Sequence, residues 1–496
     1  MDLIPLSAIT AAISAVADPT IILWVFVGVI IGLVFGAAPG LTATAGVAIA
    51  TPLTFGASFE VAMALLLGIY TGGYFAGSIP AILINTPGAP GNAATALDGY
   101  KMARQGKADL ALSLSVISSF IGGIFSIAIL TVAAPNLANF ALEFTSVEYA
   151  ILGSFGLVCV AAVSGQSLIK GVIAAVLGMT LGVSGIDPVG GMTRLTYGIP
   201  SLLSGVPLIP ALIAFFAVSE MLAQAAQVGS GIVLPKQQLS KIRSVLPLYL
   251  SNKWLTIKSA LIGTGIGILP GTGPTIAAWI SYGEAARKKS GIDPEHGDPR
   301  GIIAAETANN AVTGGALIPL LTLGIPGDTV TAVLIGALLI QGIDPGPFFI
   351  AEKSDLFVQI LLILMIANIF ILIIGLGARR YLPMVLRLPS RILIPIIGVL
   401  CVTGAFAINN TSFEVAIVGV LGIAGYVLAR FGFPMAPLVL GLVLGPLIET
   451  NLRNALIANE MNPIVFVSRP ISAALLAATV LTIFWTWRRH RAVNQK

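Results

Sequence analysis

The sequence predicts an all-α polytopic membrane protein of about twelve transmembrane helices, built from inverted structural repeats with Gly/Pro-broken helices or hairpins. Three observations lead there. Of 496 residues, 56% are hydrophobic and 9% charged, against roughly a quarter charged in soluble chains. Apolar runs of about 20 residues, the length that crosses a bilayer, recur along the chain. Finally, two Gly/Pro-rich blocks occur twice, in the same order.

Composition excludes several classes. Mean hydropathy is +0.98 and net charge +5, but the basic residues fall in short loops, which reads as topology rather than nucleic-acid binding. Cys159 and Cys401 lie inside apolar runs, and His296 and His490 in a charged loop and the tail. No disulfide framework, histidine metal site, nucleotide-binding loop or nucleophilic motif is readable, so no enzyme is expected. The N-terminal segment lacks a basic region before its weak apolar stretch. It is expected to be retained, although Ala15-Val16-Ala17 resembles a cleavage site.

The repeat is explicit. "GLVFGAAPGLTATAG" from position 32 matches "GTGIGILPGTGPTIA" from position 263, setting Gly36, Pro39, Gly40 and Thr44 on Gly267, Pro270, Gly271 and Thr275, 231 positions later. "SIPAILINTPG" from 78 matches "LIPLLTLGIPG" from 317, setting Pro80, Pro87 and Gly88 on Pro319, Pro326 and Gly327, 239 positions later. In the first copy, the link between blocks carries no Lys or Arg, and Lys101, Arg104 and Lys107 follow the second block. In the second copy the link itself is basic, with Arg287, Lys288, Lys289 and Arg300, and the loop after the second block is net acidic. If basic loops share one side, the copies are inverted. The expected divisions are residues 1–235 for the first half, 236–252 for a basic cytoplasmic linker, 253–375 for the second core and 376–496 for additional membrane helices.

Broken backbone at membrane depth survives only beside protein or a water-filled cavity. Its freed N–H groups and positive helix ends suit an anion, and its freed carbonyls suit a cation. The substrate site is therefore expected at Pro39, Gly40, Thr42, Thr44, Asn85, Thr86, Pro87 and Gly88 with Pro270, Gly271, Thr272, Thr275, Asn309, Asn310, Pro326 and Gly327. Asn92, Thr95, Thr313, Thr322 and Thr331 add neutral polar groups nearby. Glu306, Asp328 and Thr329 are the candidates for a coupling ion, Na+ or H+, because an ionisable residue inside a membrane is functional by default. For Asp328 a helix N-cap is an equal alternative, and for Glu306 a place near the headgroups. Glu220, Glu449 and Arg453 are read as interfacial or structural, and Asp98 as part of a cytoplasmic turn.

The stretches "GAAPGLTATAG", "NTPGAPGNAATALDGY", "PGTGPTIAAW" and "ANNAVTGGALIPLLTLGIPGDTVTAVLIGALLIQGIDPGP" resemble the TctA family, the large membrane subunit of tripartite tricarboxylate transporters, over roughly residues 20–450. Lys101 stands where the family pattern has Pro, and no His lies near Gln341, which weakens a proton relay there. The resemblance implies a bacterial inner-membrane importer of citrate-like di- or tricarboxylates, driven by an ion gradient. It would work with a small four-helix membrane subunit and a periplasmic solute-binding protein, without a cofactor. From the residues alone, a stand-alone transporter of another small anion and an anion channel remain open.

Overall fold

The computed structural model describes residues 4–38, 40–163, 167–226, 245–271, 273–287, 296–388 and 390–494. Pro39, Thr272, most of the basic linker and part of the loop before Arg300 lie outside them. Among the described residues, nine helices are long and apolar enough to cross a membrane, and shorter apolar helices such as Ala43–Thr54, Leu168–Gly182 and Thr329–Ile340 accompany them. Nine rather than about twelve meet this criterion, because broken helices contribute short pieces instead of full spans. The Pro299–Leu323 helix is also outside the nine, being too polar, yet every residue from Gly301 to Leu323 is buried. Its polar groups face protein only.

The outer helices show the pattern of a protein solvated by lipid. On Leu168–Gly182 the small residues Gly171, Ala174, Ala175 and Gly178 are buried, whereas Ile169, Val172, Ile173, Val176 and Leu177 are exposed. Small residues turned inward let backbones approach closely. A Cβ on Gly178 would lie 1.8 Å from the Leu438 carbonyl oxygen, and one on Gly441 2.2 Å from that of Ala175.

Both copies run the same course. Pro19–Ala37 leads through a break into Ala43–Ala50, and Lys253–Ile268 through a break into Gly273–Ala286. Phe59–Ala76 and Ser78–Ile84 then reach a second break before Ala93–Met102, as Pro299–Leu323 does before Thr329–Ile340. The breaks have the same backbone. Gly40 and Gly271, 231 positions apart, have φ of 79° and 69°. Asn85 and Gly324, 239 apart, cap their helices in the left-handed region with φ of 57° and 67°. The next N–H turns back onto a proline carbonyl in each: Thr86 onto Pro80 and Ile325 onto Pro319, both at 3.3 Å.

Helix packing repeats too. A Cβ on Gly32 would sit 2.6 Å from the Ile69 oxygen, and one on Gly263 2.3 Å from that of Ala308. A Cβ on Gly88 would sit 2.0 Å from the Gly36 oxygen, and one on Gly327 2.5 Å from that of Gly267. These are equivalent contacts in the two copies, made backbone to backbone.

The copies are exchanged end for end. Gln105 Nε2 donates to the His296 carbonyl at 2.7 Å and the Asp298 N–H to Asp98 Oδ1 at 3.0 Å. The end of the first copy thus lies on the link of the second. Gln341 Nε2 donates to the Thr54 carbonyl at 3.2 Å, which lays the end of the second copy on the link of the first. The basic loops share one side, as their charge pattern requires.

The structure brings out a third paired block, Gly-x-Pro-x-x-Pro at 205–210 and again at 432–437, 227 positions later. Gly205 and Gly432, with φ of 83° and 75°, precede Pro207 and Pro434, the N-caps of Leu208–Ile213 and Met435–Ala458. The helix continuing from Leu208 packs on Ser390–Asn409 and Ser412–Arg430, and Met435–Ala458 on Ser146–Val163 and Leu168–Gly182. Each copy supplies the helix that the other's outer pair encloses.

Close backbone contact makes a sharp expectation. Gly327→Ala is expected to lower stability by about 1–3 kcal/mol through overpacking. Gly265→Ala, in a helix with open space at its Cβ, is expected to be neutral or to stabilise by up to about 1 kcal/mol. Thermal unfolding of the two purified variants in detergent compares them; equal midpoints would refute the packing account.

Candidate functional site

Four helix N-termini meet in pairs where the copies touch. Ala43–Ala50 and Thr329–Ile340 face each other through Thr44 Oγ1 and Thr329 Oγ1, 2.9 Å apart. Ala93–Met102 and Gly273–Ala286 face each other through Gly91, whose Cβ would lie 3.0 Å from Pro274 Cβ and 2.6 Å from Asn309 Oδ1. An α-helix carries about half a positive charge at its N-terminus. Two such ends pointing together repel unless negative charge lies near, and each pair has one buried carboxylate beside it.

Asp328 serves the first pair. It is the N-cap of Thr329–Ile340, with a reciprocal capping box to Thr331. Its Oδ1 accepts from the Thr331 N–H at 2.7 Å with the Thr331 hydroxyl at 2.8 Å, and its Oδ2 from Tyr70 at 2.7 Å and Tyr74 at 2.6 Å. A carboxylate has about four acceptor positions, so little capacity is left over. Tyr70 and Tyr74 lie one turn apart on Phe59–Ala76, their rings edge to face at 4.9 Å. They are site residues that the sequence reading missed, although two tyrosines at i and i+4 in an apolar span require buried acceptors.

Glu306 serves the second pair and is 0% exposed, enclosed by protein on every side. Its Oε1 accepts from the Thr95 hydroxyl and from Asn92 Nδ2, the latter at 3.1 Å, while Oε2 has Asn310 Nδ2 at 3.5 Å, and the Asn309 amide also lies against the carboxylate. No Lys or Arg among the described residues forms an ion pair with it. The two asparagines that follow part company. Asn309 Nδ2 reaches the Tyr74 carbonyl at 3.3 Å, whereas Asn310 turns to Ser119 Oγ at 2.8 Å and the Glu306 carbonyl.

The other predicted residues divide by exposure. Gly40, Asn85 and Thr86 are exposed, and Thr42, Pro87, Gly271, Thr275 and Thr329 half-buried, so these line accessible space. Thr44, Gly88, Pro270, Asn309, Asn310, Pro326 and Gly327 are buried and shape the breaks from behind. Thr86 Oγ1 bonds within its own segment, to the Ile84 carbonyl. Pro39 and Thr272 fall outside the described residues.

Glu220 belongs to the site despite its interfacial reading. Thr42 Oγ1 donates to its Oε2 at 3.1 Å while accepting from the Ala45 N–H, and Gln224 Nε2 donates to the Gly40 carbonyl. At the equivalent break of the second copy the neighbour is apolar: a Cβ on Gly271 would fall 1.6 Å from Val160 Cγ2. The first break is thus covered by polar groups and the second by a methyl. Glu449 and Arg453 do lie apart from the breaks, joined to Asp187 and Arg194 of the hairpin formed by residues 185–194. The Arg453 guanidinium, with the Val189 N–H, holds the Asp187 carboxyl down at about 2.

The chain is similar to known proteins along most of its length. Residues 22–440 match the tripartite tricarboxylate transporter TctA family. An uncharacterized 52.8 kDa protein in the TAR-I ttuC' 3' region of Agrobacterium vitis is 37% identical over 486 residues, covering 96% of this chain and 95% of that protein. A second uncharacterized protein of the same organism, in the TAR-II ttuC' 3' region, is 40% identical over 222 residues, covering 45% of this chain and 92% of its own length.

Two consequences can be measured. Tyr74→Phe removes a donor from a buried carboxylate and is expected to lower stability by about 1.5–3 kcal/mol, read as a fall in the thermal midpoint. An unchanged midpoint would mean that Asp328 does not depend on it. Asp187, with its carboxyl held below the unfolded value of about 3.9, contributes stability that is present above pH 4 and lost as pH falls toward 2. Proteolysis of the 185–194 hairpin against pH is expected to follow that window and to shift upward in Arg453→Gln.

Proposed function

Because the chain belongs to the tripartite tricarboxylate transporter TctA family, we propose that it imports di- or tricarboxylates such as citrate, driven by an ion gradient. In this reading it is the large membrane subunit of a binding-protein-dependent system in a bacterial inner membrane. A periplasmic solute-binding protein delivers the anion, and a small four-helix membrane subunit completes the complex. The observation that carries the proposal is the convergence of four helix N-termini between the two copies, with Thr44 against Thr329 and Gly91 against Pro274. Positive helix ends and neutral donors attract carboxylates without trapping them.

The accessible residues Gly40, Thr42, Asn85, Thr86, Gly271, Thr275 and Thr329 are the substrate contacts in this scheme. Glu306 carries the coupling ion, since its charge has no basic partner among the described residues and is met by neutral groups alone. Asp328 stays a candidate for ion binding only where Tyr70 or Tyr74 releases it. Alternating access moves the paired breaks against the enclosing outer helices.

Citrate uptake into proteoliposomes tests this, with the small subunit and binding protein present or omitted and with cation gradients imposed or absent. Gradient-dependent accumulation is expected only with all three components, and Glu306→Gln is expected to abolish it. Accumulation by this chain alone would instead make it a stand-alone carrier, and non-saturating conductance a channel.

A further inference from the structure

Thr42 Oγ1 joins two groups at the start of Ala43–Ala50. It accepts from the Ala45 N–H at 3.2 Å and donates its one hydrogen to Glu220 Oε2 at 3.1 Å. Thr42 is half-buried and Gly40 exposed, so the pair borders accessible space. Among the described residues Thr42 is the one hydrogen-bond partner of Glu220, and no Lys or Arg forms an ion pair with it. The chain around it is apolar: Ala38, Leu41, Ala217 and Ile397 form one cluster, flanked by Val218 and Met221. A π-helical turn, Ala214–Val218, lies just before Glu220, and such turns are frequent at functional sites. The pair also belongs to one copy only. Counting 231 positions on from Thr42 gives Gly273, and counting 227 on from Glu220 gives Leu447, between Pro446 and Ile448.

We propose that Glu220 is a tethered stand-in for the substrate anion, and that an incoming carboxylate takes the Thr42 hydroxyl from it as Glu220 binds a proton from water. This rests on the reading of Thr42 as a substrate contact and deepens it by adding a proton-linked competitor, separate from the ion assigned to Glu306. In the structure a carboxylate already stands where a bound one would, against a hydroxyl and the positive end of a helix. The single hydrogen of Thr42 cannot serve both. Two carboxylates at one helix start repel each other, and the one displaced among apolar groups keeps its charge at high cost. A proton removes both penalties. It is taken up with the anion and given back on release, so the charge at the first break stays constant.

The titratable groups of the neighbouring elements have other places. Ala43–Ala50 and the π-helical turn carry none. Ser390–Asn409 carries Arg391 at its exposed start and Cys401, buried in a cluster with Ile397 and Ala405. On Ser412–Arg430, Glu414 bonds Asn409 and Thr411 at one end, and Arg430 bonds Tyr426 at the other. Asp328, across from Thr44, is taken by Tyr70, Tyr74 and Thr331.

The test titrates the purified full chain in detergent with citrate, reading the rise of the thermal midpoint from about pH 6 to about pH 8. Wild type is compared with Glu220→Gln, which keeps an acceptor for Thr42 without the charge. Glu220→Leu, the residue found at 447 in the second copy, is the second variant, so that one folded variant suffices. Wild type is expected to need more citrate than either variant as pH rises, the gap widening by up to about tenfold per pH unit. Citrate's own ionisation cancels in that comparison. Parallel pH profiles overturn the proposal, and so does a lack of any citrate response in all three proteins. Three-component citrate uptake is measured alongside. Uptake with parallel profiles keeps the transport reading and removes this role of Glu220; diverging profiles without uptake do the reverse.

Discussion

The centre of this protein is organised by electrostatic compensation. Four helix N-termini converge there in two pairs, an arrangement that repels itself in a medium without water. Each pair has one buried carboxylate of the second copy beside it, and the first pair has Glu220 of the first copy as well, at the Thr42 cap. Asp328 acts as a capped, hydrogen-bonded charge inside its own helix start. Glu306 acts from the flank of a continuous helix, through Asn92 and Thr95 of the first copy. The two copies have the same backbone at the breaks, but the charge that makes the arrangement tolerable is distributed unequally.

That inequality separates a fully satisfied carboxylate from one that is not. Asp328 is held by two tyrosines and a backbone N–H, a set of donors that fixes the first pair of helix ends. Glu306 has one long contact at Oε2 and sits beside Asn92, whose amide oxygen has no partner. A polar network with every member satisfied is rigid, whereas one with a gap has a second arrangement available. The same contrast recurs at Gly40 and Gly271, where Glu220 and Gln224 lie against one break and Val160 against the other. A symmetric fold thus carries an asymmetric set of breaks.

Glycine makes the convergence possible. Backbone polar groups at a break must be satisfied by protein when lipid surrounds it, so neighbouring helices have to come within hydrogen-bonding distance of the chain itself. The Gly271 N–H donating to the Gly327 carbonyl at 2.8 Å joins the two breaks of the second copy directly. Side chains at Gly36, Gly88, Gly267 or Gly327 would hold the helices apart and leave those groups stranded. The outer helices, packed through Gly171, Gly178 and Gly441, apply the same rule against lipid.

Much of this was legible in the sequence because it is written in local backbone chemistry and in loop charge. Pro and Gly mark where a helix cannot continue, whatever surrounds them, so the four breaks and their pairing could be read from positions 36–44, 78–88, 263–277 and 317–327. Inversion could be read because Lys and Arg record which side a loop faces. The third block, Gly-x-Pro-x-x-Pro at 205–210 and 432–437, is in the sequence too but is short, and its repeated positive φ and proline caps establish it as a structural repeat. Which carboxylate is capped and which is left with a gap was beyond sequence. Tyr70 and Tyr74 lie more than 250 positions from Asp328, Thr42 lies 178 from Glu220, and Asn309 and Asn310 are neighbours that face different helices. Local chemistry determined where the chain breaks; only tertiary packing decided what each break meets, because hydrogen-bond partners are chosen by proximity in space and not along the chain.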